Sequence, residues 1–290
     1  MAEATLASLL GAAKARLAAG GIEDPALDAR LIVEHFTDSD RLDFVRTPDR
    51  IIEAETVSAV DTALTRRLDG EPVHRILGFR EFYGLKLSLA AETLEPRPDT
   101  EILVDGILPF VREVAGKQAG CRIVDLGTGT GAIALALLNE VPQASALGVD
   151  VAEGALAQAR KNADDLGLGS RFSTLKSDWF SEIFGVFDLI VSNPPYIASK
   201  EIPELQVEVK RFDPMAALDG GQDGLDAYRV IAAGSSKHLA EGGRVAIEIG
   251  HTQLLEVSSV FEQEGFVLLS ALKDFSGNDR ALIFEQASKR

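Results

Sequence analysis

The stretch Asp125-Leu126-Gly127-Thr128-Gly129-Thr130-Gly131 decides the fold. It follows an apolar run, 121–126, that reads as a buried strand, and it opens a run, 132–139, that reads as a helix. Glycines at a strand-to-helix turn let the backbone bend tightly and approach a ligand that side chains would keep away. Asp150 ends the next expected strand, 146–149, where a carboxylate can accept hydrogen bonds from both hydroxyls of a ribose. The loop residues Gly127, Thr128, Gly129, Thr130 and Gly131, with Asp150, are therefore the first candidate cofactor contacts.

Working outward, the alternation continues with a helix at 154–166 and strands at 171–176, 187–192 and 244–249. Two further strands, 265–272 and 281–284, pair around the turn Asp274-Phe275-Ser276-Gly277-Asn278-Asp279. Such alternation means an α/β, doubly wound, mainly parallel sheet. Upstream, Leu6, Leu9, Leu10, Ala13 and Leu17 recur at helical spacing. Asp24-Pro25 starts a second helix whose apolar face begins with Leu27 and Leu31, and Thr47-Pro48 repeats the start signal. Val57, Val60, Leu64 and Leu68 stripe the helix after it. Glu81-Phe82-Tyr83-Gly84-Leu85-Lys86-Leu87-Ser88-Leu89 has the glycine break and alternation of a hairpin. The expected organisation is a helical domain at 1–70, either a substrate-docking domain or a stabilising cap with no binding role, a hairpin linker at 71–98 and an α/β domain at 99–290.

Gly127, Gly129 and Ala132 also satisfy the dinucleotide pattern G-x-G-x-x-G/A, so a nicotinamide dehydrogenase competes at this point. Asp125 favours a different ligand. A carboxylate beside a pyrophosphate is unfavourable, whereas one near a sulfonium and a protonated amine is welcome. Asp178-Trp179, after the strand 171–176, adds a carboxylate that can accept from an adenine amino group and an indole that can stack on the ring. Core packing is the competing reading of Trp179.

Asn193-Pro194-Pro195-Tyr196 follows the strand 187–192, at the end of the sheet where ligands bind. An amide nitrogen is a poor nucleophile because its lone pair is delocalised. The Asn193 side-chain oxygen and the Pro194 carbonyl would grip the two N–H bonds and turn the lone pair toward a methyl donor. Tyr196 would supply an aromatic wall for a planar group. Catalysis is thus expected of Asn193, Pro194 and Tyr196, acceptor binding of Asn193 to Tyr196, and a cofactor contact of Asn193. A strand-ending turn is the structural alternative.

The tetrad resembles that of class I methyltransferases acting on exocyclic or amide nitrogen. Other segments resemble the HemK-type release factor glutamine methyltransferases: Glu71-Pro72-Val73, Ile76-Leu77-Gly78, Glu81 to Leu85, Pro96-Arg97-Pro98-Asp99-Thr100-Glu101, Asp213-Pro214, Ala217-Leu218, Gly220 to Leu225, Tyr228-Arg229 and Lys273 to Arg280. The resemblance spans nearly the whole chain. It implies a seven-stranded class I methyltransferase sheet, S-adenosylmethionine as cofactor, and the glutamine of the Gly-Gly-Gln loop of class I peptide-chain release factors as acceptor. Arg97 to Glu101 would flank the site. Glu95 departs from the family, which usually has an apolar residue there. Gly220-Gly221-Gln222 spells the acceptor tripeptide, but the family pattern is Gly-Gly-any-Asp-Gly, so Gln222 counts as coincidence.

The chain has 290 residues, 46% of them apolar and 26% charged, as globular domains do. Its net charge of −16 argues against unassisted grip on nucleic acid, where phosphate contacts dominate. An N6-adenine methyltransferase acting on DNA or RNA is the alternative to a protein substrate, and a non-catalytic adaptor is a second. The single Cys121 allows no internal disulfide, no apolar run approaches a membrane span, and no secretory signal is expected, so the reading is a cytoplasmic monomer. His35, His74, His238 and His251 lack ligand spacing, so no metal is expected.

Overall fold

The structure is a computed structural model and describes residues 4–118 and 120–287; the outer ends of the expected domains, residues 1 and 290, lie outside them. The chain divides into two compact units between Phe79 and Arg80.

The first unit holds α1 (Leu6–Ala19), α2 (Pro25–Thr37), α3 (Asp43–Arg46), α4 (Ala54–Leu68) and α5 (Val73–Leu77). Thr5 and Ser8 form a reciprocal cap at the start of α1. Leu6, Leu9, Ala13 and Leu17 are buried against Ile32 and Val33 of α2 and Val60 and Leu64 of α4. Asp24 caps α2 by accepting from the Leu27 amide at 3.1 Å. Two expectations are corrected here. The inner face of α2 is Asp28, Ala29, Ile32 and Val33, while Leu27 is 40% exposed. The face is turned because Asp28 is drawn inward by Arg67, whose Nε lies 2.5 Å from Asp28 Oδ2. Thr47-Pro48 does not start a helix. The Pro48 and Arg50 carbonyls accept from the Ala7 and Leu6 amides at 3.0 and 2.9 Å, satisfying open donors at the head of α1. α4 begins later, after Glu53.

β1 (Phe79–Phe82) and β2 (Leu85–Ser88) form the expected hairpin. Its turn residues Tyr83 and Gly84 both have positive φ, 51° and 73°, the geometry that suits the twist of a two-residue hairpin.

The second unit continues with α6 (Glu101–Gln118), β3 (Cys121–Leu126), α7 (Ala132–Glu140), β4 (Ala144–Asp150), α8 (Glu153–Asp165), β5 (Phe172–Lys176), β6 (Phe187–Ser192), α9 (Val207–Phe212), α10 (Asp226–His238), β7 (Leu239–Glu248), α11 (Leu254–Gln263), β8 (Phe266–Lys273) and β9 (Asp279–Gln286). The seven-stranded sheet has the order β5-β4-β3-β6-β7-β9-β8. β5 through β7 run parallel, and β9 is antiparallel to both its neighbours. Successive residues of β3 face opposite sides: Ile123 packs with α6 and α7, Val124 with α10 and α11. Strands buried on both faces read as continuous apolar runs, which is why the sequence betrays them.

The strand order reverses between β3 and β6. Ligands of doubly wound sheets bind at such a switch point, outside the carboxyl ends of the strands. The register there is decisive: Leu126 pairs with Ser192 and with Val149. The glycine loop and the Asn-Pro-Pro-Tyr loop therefore leave adjacent strands at one level.

Candidate active site

Three glycines shape the turn after β3, with φ of 70°, 54° and 83° at Gly127, Gly129 and Gly131. A Cβ at Gly127 or Gly129 would stand in open space; one at Gly131 would meet Leu135 Cδ1 at 3.0 Å and Ala159 at 3.4 Å. Gly131 thus serves the close packing of α7 on α8, and it is absent from the cavity wall. The Gly127 and Thr128 amides donate to the Val149 carbonyl at 2.8 and 2.9 Å. Asp150 accepts from the Gly129 and Ala152 amides, both at 3.0 Å, which fixes its carboxylate at the cavity. Asn162 of α8 is buried and donates to the Thr130 carbonyl at 2.9 Å while exchanging hydrogen bonds with the Ser88 backbone.

A cavity of about 470 Å³ opens at the switch point, within the size range of small-molecule sites. Gly127, Thr128, Gly129, Thr130, Asp150, Asp178, Trp179, Asn193 and Pro195 all reach its wall. Trp179 has φ of 51°, a strained conformation for a bulky side chain, and the Ser177 hydroxyl donates to its carbonyl at 2.9 Å. Trp179 also packs against the core, so both readings of it describe one side chain.

Asp125 differs from expectation. Strand alternation turns it under the loop, 1% exposed and off the cavity wall, where it accepts from the Thr128 hydroxyl at 2.8 Å. Burial pushes its pKa up to about 7.

The Asn-Pro-Pro-Tyr loop is held from outside. Ile197 bridges Asp219 in parallel, with the Ile197 amide donating to Leu218 and the Gly220 amide to Ile197. Gln253 donates from Nε2 to the Tyr196 carbonyl at 3.0 Å and the Gly224 carbonyl at 3.2 Å. Pro194 is buried and Tyr196 half-buried against the core, and neither is on the cavity wall. Burial raises the Tyr196 pKa to about 12, so its phenol stays protonated. Gln222 is exposed and away from the cavity.

Behind Asn193 lies a chain of polar groups. Asn193 Nδ2 donates to Thr100 Oγ1 at 3.2 Å, and the Thr100 hydroxyl donates to Glu248 Oε2 at 2.6 Å. Glu248 is 1% exposed, and burial lifts its pKa to about 7 against the opposing pull of Thr100 and Arg280. Sequence reasoning missed Glu248, Gln253 and Asn162, and left Thr100 without a role. Arg97, expected to flank the site, is on the rim, where sequence reasoning missed Glu92, Leu94 and Pro96 on one side and Pro214, Ala217, Asp219, Asp226 and Val230 on the other. Arg97 Nη2 joins the two sides through Asp213 Oδ2 at 2.8 Å. Glu95 is buried and paired with Arg80 Nη1 at 2.8 Å, which meets its charge there.

With this geometry in hand, comparison with known proteins is decisive. The chain is 52% identical over 284 residues to the release factor glutamine methyltransferase of Agrobacterium fabrum, covering 98% of each chain. The chain belongs to the release factor glutamine methyltransferase family. The relative from Escherichia coli is 38% identical over 262 residues, covering 90% of this chain and 92% of its own. Residues 8–78 match the family model described as the PrmC N-terminal domain, and 108–210 the methyltransferase small domain. A methyltransferase from Pyrococcus furiosus superposes with a TM-score of 0.52 at 18% identity, covering 78% of this chain and 99% of its own, a likeness of fold. The seven-stranded class I methyltransferase sheet expected from the family resemblance is the one observed.

Proposed function

We propose that this chain transfers a methyl group from S-adenosylmethionine to the side-chain amide nitrogen of the glutamine in the Gly-Gly-Gln loop of class I peptide-chain release factors. The observation that carries the chemistry is the pairing of Leu126 with Ser192, which starts a cofactor loop and an acceptor loop side by side. The relatives' names supply the acceptor.

The residues fit the cofactor. The loop amides of Gly127, Thr128 and Gly129 are already spent on Val149 and Asp150, so they are not free to cradle a pyrophosphate. That favours a methyl donor over a dinucleotide. Glu92, Asp150, Asp178 and Asp226 make the wall acidic, as suits a ligand carrying a sulfonium and an ammonium. Asp150 would hold the ribose hydroxyls, Asp178 the adenine amino group, and Trp179 and Thr128 to Thr130 the surrounding surface. Asn193 would touch both cofactor and acceptor.

When bound, the cofactor supplies an electrophilic methyl carbon. Asn193 Oδ1 and the Pro194 carbonyl accept from the two N–H bonds of the glutamine amide, aim the nitrogen lone pair, and stabilise the charge that builds there. Pro195 borders the amide plane, and Tyr196 backs the loop with a neutral phenol. Transfer would join the amide nitrogen to the methyl carbon as the sulfur leaves, and the amide proton would then pass to solvent, so the chain need supply no base beforehand. Asn193→Ala should lower turnover ~100-fold while cofactor affinity changes a few-fold at most. The proposal extends to a cytoplasmic monomer acting on a protein substrate, with residues 1–70 docking the release factor. The charge of −16 supports it, and among the described residues no helix is long and apolar enough to cross a membrane.

The test offers labelled S-adenosylmethionine with release factor, duplex DNA or RNA as acceptor. Label on the release factor alone is expected; label on nucleic acid would transfer the site to the adenine reading.

A further inference from the structure

We infer that Thr100 and Glu248 form a positioning relay that holds the Asn193 carboxamide with its oxygen toward the acceptor. This rests on the proposed role of Asn193, and it assigns a task to two residues that the chemistry above does not use.

Hydrogen-bond direction fixes the orientation of the carboxamide. An ionised carboxylate offers only lone pairs, so the Thr100 hydroxyl must donate to Glu248 across the 2.6 Å contact. A hydroxyl carries one proton. Once that proton is committed, Thr100 Oγ1 presents only lone pairs to Asn193, 3.2 Å away. Nitrogen is the one end of a carboxamide that can meet them. With Nδ2 held there, Oδ1 must point the other way. The two ends of a carboxamide have nearly the same shape, so packing discriminates poorly between them. A half-turn would aim N–H groups at the N–H groups of the glutamine amide and abolish the grip.

Three separate elements build the relay. Asn193 follows β6, Thr100 ends the turn Pro98–Thr100 ahead of α6, and Glu248 closes β7. The pairing of Ser192 with Ile247 sets Glu248 beside Asn193 by register. Glu248 is almost fully buried, and an ionised carboxylate is costly there. The Asn193 side chain and Thr100 both favour its charged form, as donors do. Only an ionised Glu248 commits the Thr100 proton, so the orienting state is the one reached as pH rises through about 7.

The test is steady-state and binding analysis of Thr100→Val, which keeps the shape and removes the hydroxyl, beside Thr100→Ser, Asn193→Ala and the double variant. We expect Thr100→Val to lower kcat roughly 10- to 100-fold with cofactor Kd within about threefold, and Thr100→Ser to restore kcat to within about threefold of wild type. In the Asn193→Ala background Thr100→Val should add nothing, because the group it orients is gone. Should Thr100→Val not fold, Thr100→Ala carries the same readouts. Losses that multiply in the double variant would overturn the relay, as would Thr100→Val with kcat within about twofold of wild type while Asn193→Ala is impaired. Normal turnover by Asn193→Ala would instead overturn the site reading on which the relay rests.

Discussion

Residues at the switch point act through the polar atoms they have left over. Asp150 spends one lone pair of each oxygen on the Gly129 and Ala152 amides, leaving the others for a ligand. Asp150→Ala should weaken cofactor binding by ~1–3 kcal/mol, measured by calorimetry, since hydrogen bonds to a charged acceptor are lost. Unchanged affinity would remove Asp150 from the ribose. Glu248 makes a second residue-level prediction. Around it stand Arg280 from β9, Asp99 from the turn before α6, Tyr196 after β6 and Tyr228 of α10. Burial wins, and the folded pKa of about 7 lies above the ordinary value of 4.5. The folded chain therefore binds the extra proton between those values. The associated stability is complete below the unfolded pKa and lost as pH rises through about 7. Glu248→Gln should be more stable than wild type at alkaline pH by roughly 2–3 kcal/mol and nearly equal to it in mild acid, by urea midpoints at both. A constant difference across pH would contradict the assignment.

Elements explain what could be read in advance. The glycine loop and the Asn-Pro-Pro-Tyr loop are contiguous, so their chemistry is visible in a short stretch of chain. Asp150 and Asp178-Trp179 follow because each ends or succeeds a strand. Glu248, Gln253 and Asn162 could not be read this way, because strand register and helix packing bring them to the loops. The same holds for the inner face of α2, where one buried ion pair overrides the pattern of leucines. Asp125 misled because strand alternation, not proximity in sequence, decides which way a side chain faces. The support of the acceptor loop yields an element-level prediction. A Cβ at Gly220 would lie 2.8 Å from the Pro195 carbonyl oxygen and 2.9 Å from Tyr196 Cα, backbone atoms that cannot swing aside. Gly220→Ala should shift the loop and reduce kcat at least ~10-fold, with cofactor affinity largely kept. Wild-type kinetics would show that the segment 218–221 does not hold the loop.

The whole molecule combines a helical unit with a methyltransferase unit, and their cores are distinct clusters of side chains. The helical unit contains a buried charge pair, Asp28 with Arg67. Removing one member leaves the other charge buried, so Asp28→Ala should cost ~3–5 kcal/mol of the helical unit's stability by urea denaturation. Cofactor binding, a property of the other unit, should persist in that variant. A drop of under about 1 kcal/mol would mean that solvent already reaches the pair. At this scale the acceptor is a glutamine amide in a release factor. The measurement that tests it most directly is mass-spectrometric mapping of the methyl group on a class I release factor after incubation with this enzyme and S-adenosylmethionine, beside a release factor whose Gly-Gly-Gln glutamine is replaced by alanine. One methyl group is expected on the side-chain nitrogen of that glutamine and none on the alanine variant. Methylation elsewhere, or equal methylation of both proteins, would contradict it.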